Sequence, residues 1–288
     1  MTDKFGTVKV SNNNVRVVSS TSADAPARGG DWFKEPYANI FLLAKKKSGK
    51  TTVLENILKR CAGPKTKFIF IATTVNKDAS WVRIKDYWEK KGNEIAEYDS
   101  LEDEEGKNVI NEFIELQKLD SDGEAPPNTV ETKREVVTQV GNGVLRKQTI
   151  VERHVVGEGA AKKKKAPKMI TPEYIICMDD MGTAMRNKHV TQLLKVNRHY
   201  KTKVILSAQN ISDLEPGAIR QLDYCLVFGR QPEDKVKKLR EQLDLDVSEE
   251  DFFAMYRDAT AKLYGFLYIG REGEDVFRKG FTQQYIIE

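Results

Sequence analysis

The chain is 288 residues long, 40% apolar and 31% charged, with a formal net charge of +4. Those values describe a soluble globular protein of one large or two small domains, with a charge too small to demand a polyanionic partner, although it permits one where the positive charge is unevenly placed. No stretch approaches the roughly 20 apolar residues that span a bilayer; residues 1–9 lack the apolar core of a secretory leader; and Cys61, Cys177 and Cys225, with three scattered histidines, offer no metal-ligand spacing.

In chain order, residues 1–31 are rich in Asn, Ser, Ala and Gly and read as a mobile N-terminal arm with one strand-like patch at 15–18. A single domain is expected over 32–288. Ile40 to Leu43 is a continuous apolar run, the mark of a strand buried on both faces. It leads into Ala44-Lys45-Lys46-Lys47-Ser48-Gly49-Lys50-Thr51-Thr52, which matches the phosphate-loop pattern G-x-x-x-x-G-K-[ST] with Ala44 in place of the first glycine. In such a loop, backbone N–H groups curl around the β- and γ-phosphates, the lysine (Lys50) reaches the same oxygens and the hydroxyl (Thr51) ligates magnesium. The helix expected from Lys50 to about Arg60 adds its positive N-terminal end and carries an apolar stripe of Val53, Leu54, Ile57 and Leu58. The ligand expected from these residues is ATP with Mg2+.

Downstream, a strand is expected over 67–72, a helix over 79–91 with Trp81, Ile84 and Trp88 on one side, and another helix over 107–119. This alternation predicts an α/β fold, with a mainly parallel central sheet covered by helices on both faces. The polar stretch 121–172 breaks the rhythm and reads as an insertion. Within it, 135–140 and 144–150 alternate around Gly141-Asn142-Gly143 as a β-hairpin, and Lys162 to Lys165 read first as a solvated linker, with a contact to nucleic-acid phosphates or a nuclear import signal as the other readings. Strands follow at 174–180, 203–208, 223–228 and 262–269. Helices are expected over 188–200, 216–221, 232–243 and 248–257, and a β-like tail runs to 287.

The apolar run 174–178 places Asp179 at the carboxyl end of a buried strand, the edge where open α/β sheets bind ligands. An aspartate there holds magnesium in phosphate-loop enzymes, and Asp180 beside it is a candidate general base for an attacking water. Gln209 ends the next strand and can both donate and accept, which suits a sensor of the γ-phosphate. ATP hydrolysis also gains from a cation on the γ-phosphoryl group, often lent by an adjacent subunit. Arg220 is the first candidate for it, Arg198 the second and Arg230 the third.

The order of phosphate loop, insertion, Asp179-Asp180 strand, Arg198-His199 before a strand ending in Gln209, and Leu214-Glu-Pro-Gly-Ala-Ile-Arg220 before 223–228 resembles the DNA-packaging ATPases of large DNA viruses. These form the poxvirus-type branch of the FtsK/HerA superfamily, and the resemblance covers about residues 39–230. It implies a RecA-like sheet, a homo-oligomeric ring and ATP hydrolysis coupled to movement of double-stranded DNA into a preformed capsid. It implies capsid or portal-vertex proteins as partners, and work in the host cytoplasm or viral factory and in the virion. Under it, Lys50 and Thr51 match the phosphate and magnesium residues, Asp179 and Asp180 the acidic pair, Gln209 the sensor, and Arg198 and Arg220 recurrent arginines. Two other readings stay open: a phosphate-loop kinase of a nucleoside or small molecule, and a non-hydrolysing, nucleotide-dependent capsid or scaffold protein.

Overall fold

Strand β1 (Asn39–Leu43) is wholly buried because its side chains serve two cores at once. Ile40 and Leu42 face one layer and Phe41 and Leu43 the other, the period of two that a strand imposes. The computed structural model that shows this describes residues 26–102, 106–122, 129–140, 144–155, 169–271 and 276–286. The strand-like patch at 15–18 and the lysines 162–165 lie outside the described residues.

The elements that follow are α1 (Lys50–Cys61), β2 (Lys67–Ala72), α2 (Ala79–Glu89), β3 (Ile95–Tyr98), α3 (Val109–Asp122), β4 (Thr129–Val140) and β5 (Val144–Val155). The second half holds β6 (Tyr174–Asp179), α4 (Lys188–Val196), β7 (Thr202–Ala208), α5 (Pro216–Ile219), β8 (Tyr224–Phe228), α6 (Glu233–Leu243) and α7 (Glu249–Ala259). Strands β9 (Phe266–Gly270), β10 (Val276–Lys279) and β11 (Gln283–Gln284) close it. One sheet has the order β11-β10-β9-β8-β1-β7-β6-β2-β3. The six strands from β8 to β3 are parallel, and β9, β10 and β11 add antiparallel pairs at the other end. Strand β7 lies between the phosphate-loop strand β1 and the aspartate strand β6, so the order is RecA-like, as expected.

Helices α1 and α2 cover one face, through Leu54, Ile57, Leu58, Trp81, Ile84 and Trp88. Helices α3 to α7 cover the other, with Ile110, Leu193, Ala218, Val236 and Phe252 in its core. Asp78 starts α2 by accepting from the Ser80 N–H at 2.7 Å, a side-chain cap for an otherwise unpaired donor. The three cysteines are buried and free, and burial pushes each thiol above its ordinary value.

Several boundaries differ from the sequence reading. Strand β3 was not foreseen; it is a half-buried four-residue edge strand, too short and too polar to show as an apolar run. Helix α4 stops at Val196 instead of residue 200 because the Asn197 side chain turns to the carbonyls of Tyr37 and Thr202. The strand expected over 262–269 begins at Phe266, and 260–265 is a loop. Residues 26–31 of the expected arm are tied to the body: Ala27 bridges Ile170, Arg28 donates to the Ile170 carbonyl, and Asp31 pairs with Arg60 at 2.6 Å. The expected hairpin is present and longer on both sides, with Thr129 opposite Val155 and Val140 opposite Val144.

Candidate functional site

The register gathers the site at one edge of the sheet. Leu43 pairs with Ala208 and Asp179 with Ser207, so the residues that follow β1, β6 and β7 leave their strands side by side. The chain after β1 turns through Lys47 (φ 61) and Gly49 (φ 86) before α1 begins at Lys50. Left-handed backbone at Gly49 favours glycine, and a Cβ there would sit 2.9 Å from Cδ1 of Tyr264, so glycine is required twice over. Ala44, by contrast, is buried, has no left-handed backbone and donates its N–H to the Ala208 carbonyl at 3.0 Å. It continues the strand, which is why an alanine serves where the loop pattern has glycine. Ser48 is buried while Lys46, Lys47 and Thr52 are exposed, and Lys45 and Thr51 are intermediate. The N-terminal turn of α1 has no side-chain cap and no acidic residue, leaving its N–H groups and positive end open to an anion.

Lys50 reaches across this edge to Asp179, with Nζ 2.7 Å from Oδ1. Asp179 is only 7% exposed, its Oδ1 has no hydrogen bond among the described residues beyond this ionic contact, and its Oδ2 accepts from the indole N–H of Trp81 at 3.3 Å. A buried carboxylate with one oxygen held by a cation alone fits a metal ion that brings the rest of its own coordination. Thr51 and Asp179 are the residues that would hold Mg2+; one carboxylate, one hydroxyl, phosphate oxygens and water make up its usual donor set. Among the described residues no group of three or more His, Cys, Asp or Glu side chains forms a metal cluster.

Asp180 stands next to Asp179 but in left-handed backbone (φ 53), its N–H donating to the Ser207 carbonyl at 3.0 Å. The turn aims its side chain away from that of Asp179 and toward β7, where Gln209 Nε2 donates to both carboxylate oxygens at 3.1 and 3.4 Å. Non-glycine residues in this conformation cost energy and cluster at functional sites. The two acidic residues therefore have different partners: Asp179 meets the Lys50 ammonium, and Asp180 sits with an amide that can orient it. Asn210, next in sequence, is held by Lys235 of α6.

No family model and no curated protein matches this chain. Among solved structures the chain is similar to the genome packaging NTPase B204 from Sulfolobus turreted icosahedral virus 2 in complex with AMP, at 15% identity, 88% of this chain, 98% of that one and a TM-score of 0.48. It is also similar to B204, the DNA-packaging ATPase from Sulfolobus Turreted Icosahedral Virus, at 16% identity, 82% of this chain, 93% of that one and a TM-score of 0.46. A third likeness is to the cytoplasmic domain of the Thermomonospora curvata Type VII secretion ATPase EccC, at 10% identity, 83% of this chain, 25% of that one and a TM-score of 0.41. At these identities and scores the likenesses carry no functional weight, and the fold rests on the strand order and register above.

The three candidate arginines lie at two different edges of the sheet. Arg198 and Arg220 precede β7 and β8, and the strands are parallel, so both lie at the amino edge, the length of β1 or roughly 13 Å from the phosphate loop of their own chain. Arg198 pairs there with Asp223 at 2.9 Å, and Asp223 also accepts from the Asn39 N–H. Burial pushes the Asp223 carboxyl above its ordinary value, opposed by the Asn39 amide and the Arg198 guanidinium. Arg220 is exposed just after α5. Arg230, ranked third, is the one that follows its strand, and it shares a cavity wall with Lys47 and Ser48. Since the Arg198 guanidinium is 56% exposed, Arg198→Gln is expected to lower Tm by no more than about 4 °C and to leave nucleotide turnover close to wild type. A collapse of turnover in a thermally stable variant would instead mark Arg198 as a cation lent to a neighbouring copy.

Two further residues escaped the sequence reading. Trp81 looked like a core residue at helical spacing, and its indole N–H on Asp179 leaves no trace in sequence. Trp81→Phe keeps most of the packing and removes that donor, so it is expected to weaken the Mg2+ dependence of turnover about tenfold while the protein stays folded. A Mg2+ titration with circular dichroism checks it. Tyr264 fell inside an expected strand; it is half of an exposed apolar pair, with Leu263, placed against Gly49.

Proposed function

We propose that this chain hydrolyses ATP and uses the cycle to move double-stranded DNA, working as a homo-oligomeric ring that packages a viral genome into a preformed capsid. The observation that carries the hydrolytic part is Asp180 clasped by Gln209 beside the Lys50–Asp179 pair. Loop N–H groups and the N-terminal turn of α1 bind the phosphates, and Lys50 leaves Asp179 for the phosphate oxygens. Magnesium, when bound at Thr51 and Asp179, supplies positive charge that offsets the charge developing on the phosphoryl oxygens. Asp180 accepts a proton from the attacking water, and Gln209 holds that carboxylate and the water in line. Gln209 is followed by Asn210, whose side chain is held by Lys235 of α6, so a shift of the Asp180–Gln209 pair during the cycle would reach α6.

The DNA and ring parts are supported by the shared order of motifs from the phosphate loop to Arg220 and by the exposure of Arg220, which can reach an adjacent copy. The test is steady-state turnover of wild type and Lys50→Ala with and without duplex DNA. Turnover that rises with duplex DNA and vanishes in Lys50→Ala is the expected result. Turnover indifferent to DNA in a folded oligomer would sink the translocation reading, and phosphate transfer to a nucleoside in preference to water would establish a kinase.

A further inference from the structure

The sheet order decides which way a bound nucleotide must lie. Lys50, Asp179, Asp180 and Gln209 meet above β7 and β6, on one side of β1. The terminal phosphate belongs there, with its water and cation. The phosphate chain then runs back across the loop, so the nucleoside must leave on the other side of β1, over the carboxyl end of β8 and the turn into β9.

That place holds a cavity of about 170 Å³. Its walls are Lys47 and Ser48 of the phosphate loop, Gly229 and Arg230 after β8, and the 260–265 loop with Leu263 and Tyr264. Four features suit a nucleoside. The Ser48 hydroxyl is buried and has no hydrogen-bond partner among the described residues, which is costly unless a ligand supplies one. Leu263 and Tyr264 are 62% and 58% exposed, an uncovered apolar pair on the wall of a polar loop. Tyr264 is held in left-handed backbone (φ 65) with its ring against Gly49, a strained placement for an aromatic residue. Among the described residues no carboxylate lines the cavity, while Lys47, Arg230 and Lys262 give it positive charge.

We infer that this cavity is the base-and-ribose subsite of the triphosphate site, that the Tyr264 ring stacks on a purine base, and that the Ser48 hydroxyl donates to the sugar–phosphate junction. The exposed Tyr264 ring offers the base a face to stack on. The inference rests on the triphosphate reading of loop 44–51 and names the part of the ligand that loop does not touch.

Calorimetric titration with MgATP and with magnesium and inorganic triphosphate separates the two readings. Tyr264→Ala is expected to bind ATP about tenfold or more weakly than wild type and to bind inorganic triphosphate unchanged, while Tyr264→Phe binds both like wild type. Leu263→Ala, a milder change in the same wall, is expected to move in the same direction as Tyr264→Ala. Unchanged ATP affinity in Tyr264→Ala overturns the subsite. Equal weakening of ATP and triphosphate also overturns it, because Tyr264 would then only brace Gly49. Wild-type protein that binds neither ligand overturns the triphosphate reading itself, and the subsite with it.

Discussion

Lys50→Ala is expected to abolish nucleotide turnover and at the same time to destabilise the ligand-free protein. The first effect follows from removing the cation that reaches the phosphates. The second follows from Asp179, which is buried and, among the described residues, has its Oδ1 held by the Lys50 ammonium alone. Taking one partner from a buried ion pair leaves an uncompensated charge, which costs about 3 kcal/mol or more; thermal unfolding would read this as a fall of several degrees in Tm. The sign reverses in a second variant. Asp179→Asn in the Lys50→Ala background removes the stranded charge, so the double variant is expected to regain most of the lost stability while turnover stays absent. If Lys50→Ala unfolds at the wild-type temperature, water screens the pair and the site is more open than its burial suggests.

Why the candidate site gathers at this edge was partly legible in the sequence. The phosphate loop is local: strand, Ala44 to Thr51 and helix are contiguous, and hydrogen bonds within a few residues fix their geometry. Asp179, Asp180 and Gln209 could be placed because each ends an apolar run, and parallel strands put all their carboxyl ends together. The same rule, applied to the arginines, places Arg198 and Arg220 at the opposite edge because they precede their strands, and it brings forward Arg230, which follows one. Side-chain pairings were not legible. Nothing in the spacing tells that Trp81 points its indole N–H at Asp179 across 98 residues, or that Tyr264 rests on Gly49. Strand β3 was hidden for another reason: Ile-Ala-Glu-Tyr at a sheet edge buries too little to show an apolar pattern.

Asp180→Asn separates binding from chemistry. Asparagine tolerates left-handed backbone at least as well as aspartate, so φ 53 at this position is no obstacle to folding. Its side-chain oxygen still accepts from Gln209 Nε2, and Asp179, Thr51 and Lys50 are untouched. The variant is therefore expected to melt close to wild type and to bind MgATP with similar affinity, while turnover falls roughly 10²–10⁴-fold, the range for loss of a general base. Gln209→Ala should act more gently, since it leaves the base in place and removes its orientation. Because Gln209 works through Asp180, the double variant is expected to be no slower than Asp180→Asn alone. Single-turnover measurements on the four proteins decide the matter. Turnover that survives Asp180→Asn would move the general base elsewhere on this edge, and effects that multiply in the double variant would mean that Gln209 acts on the phosphate directly.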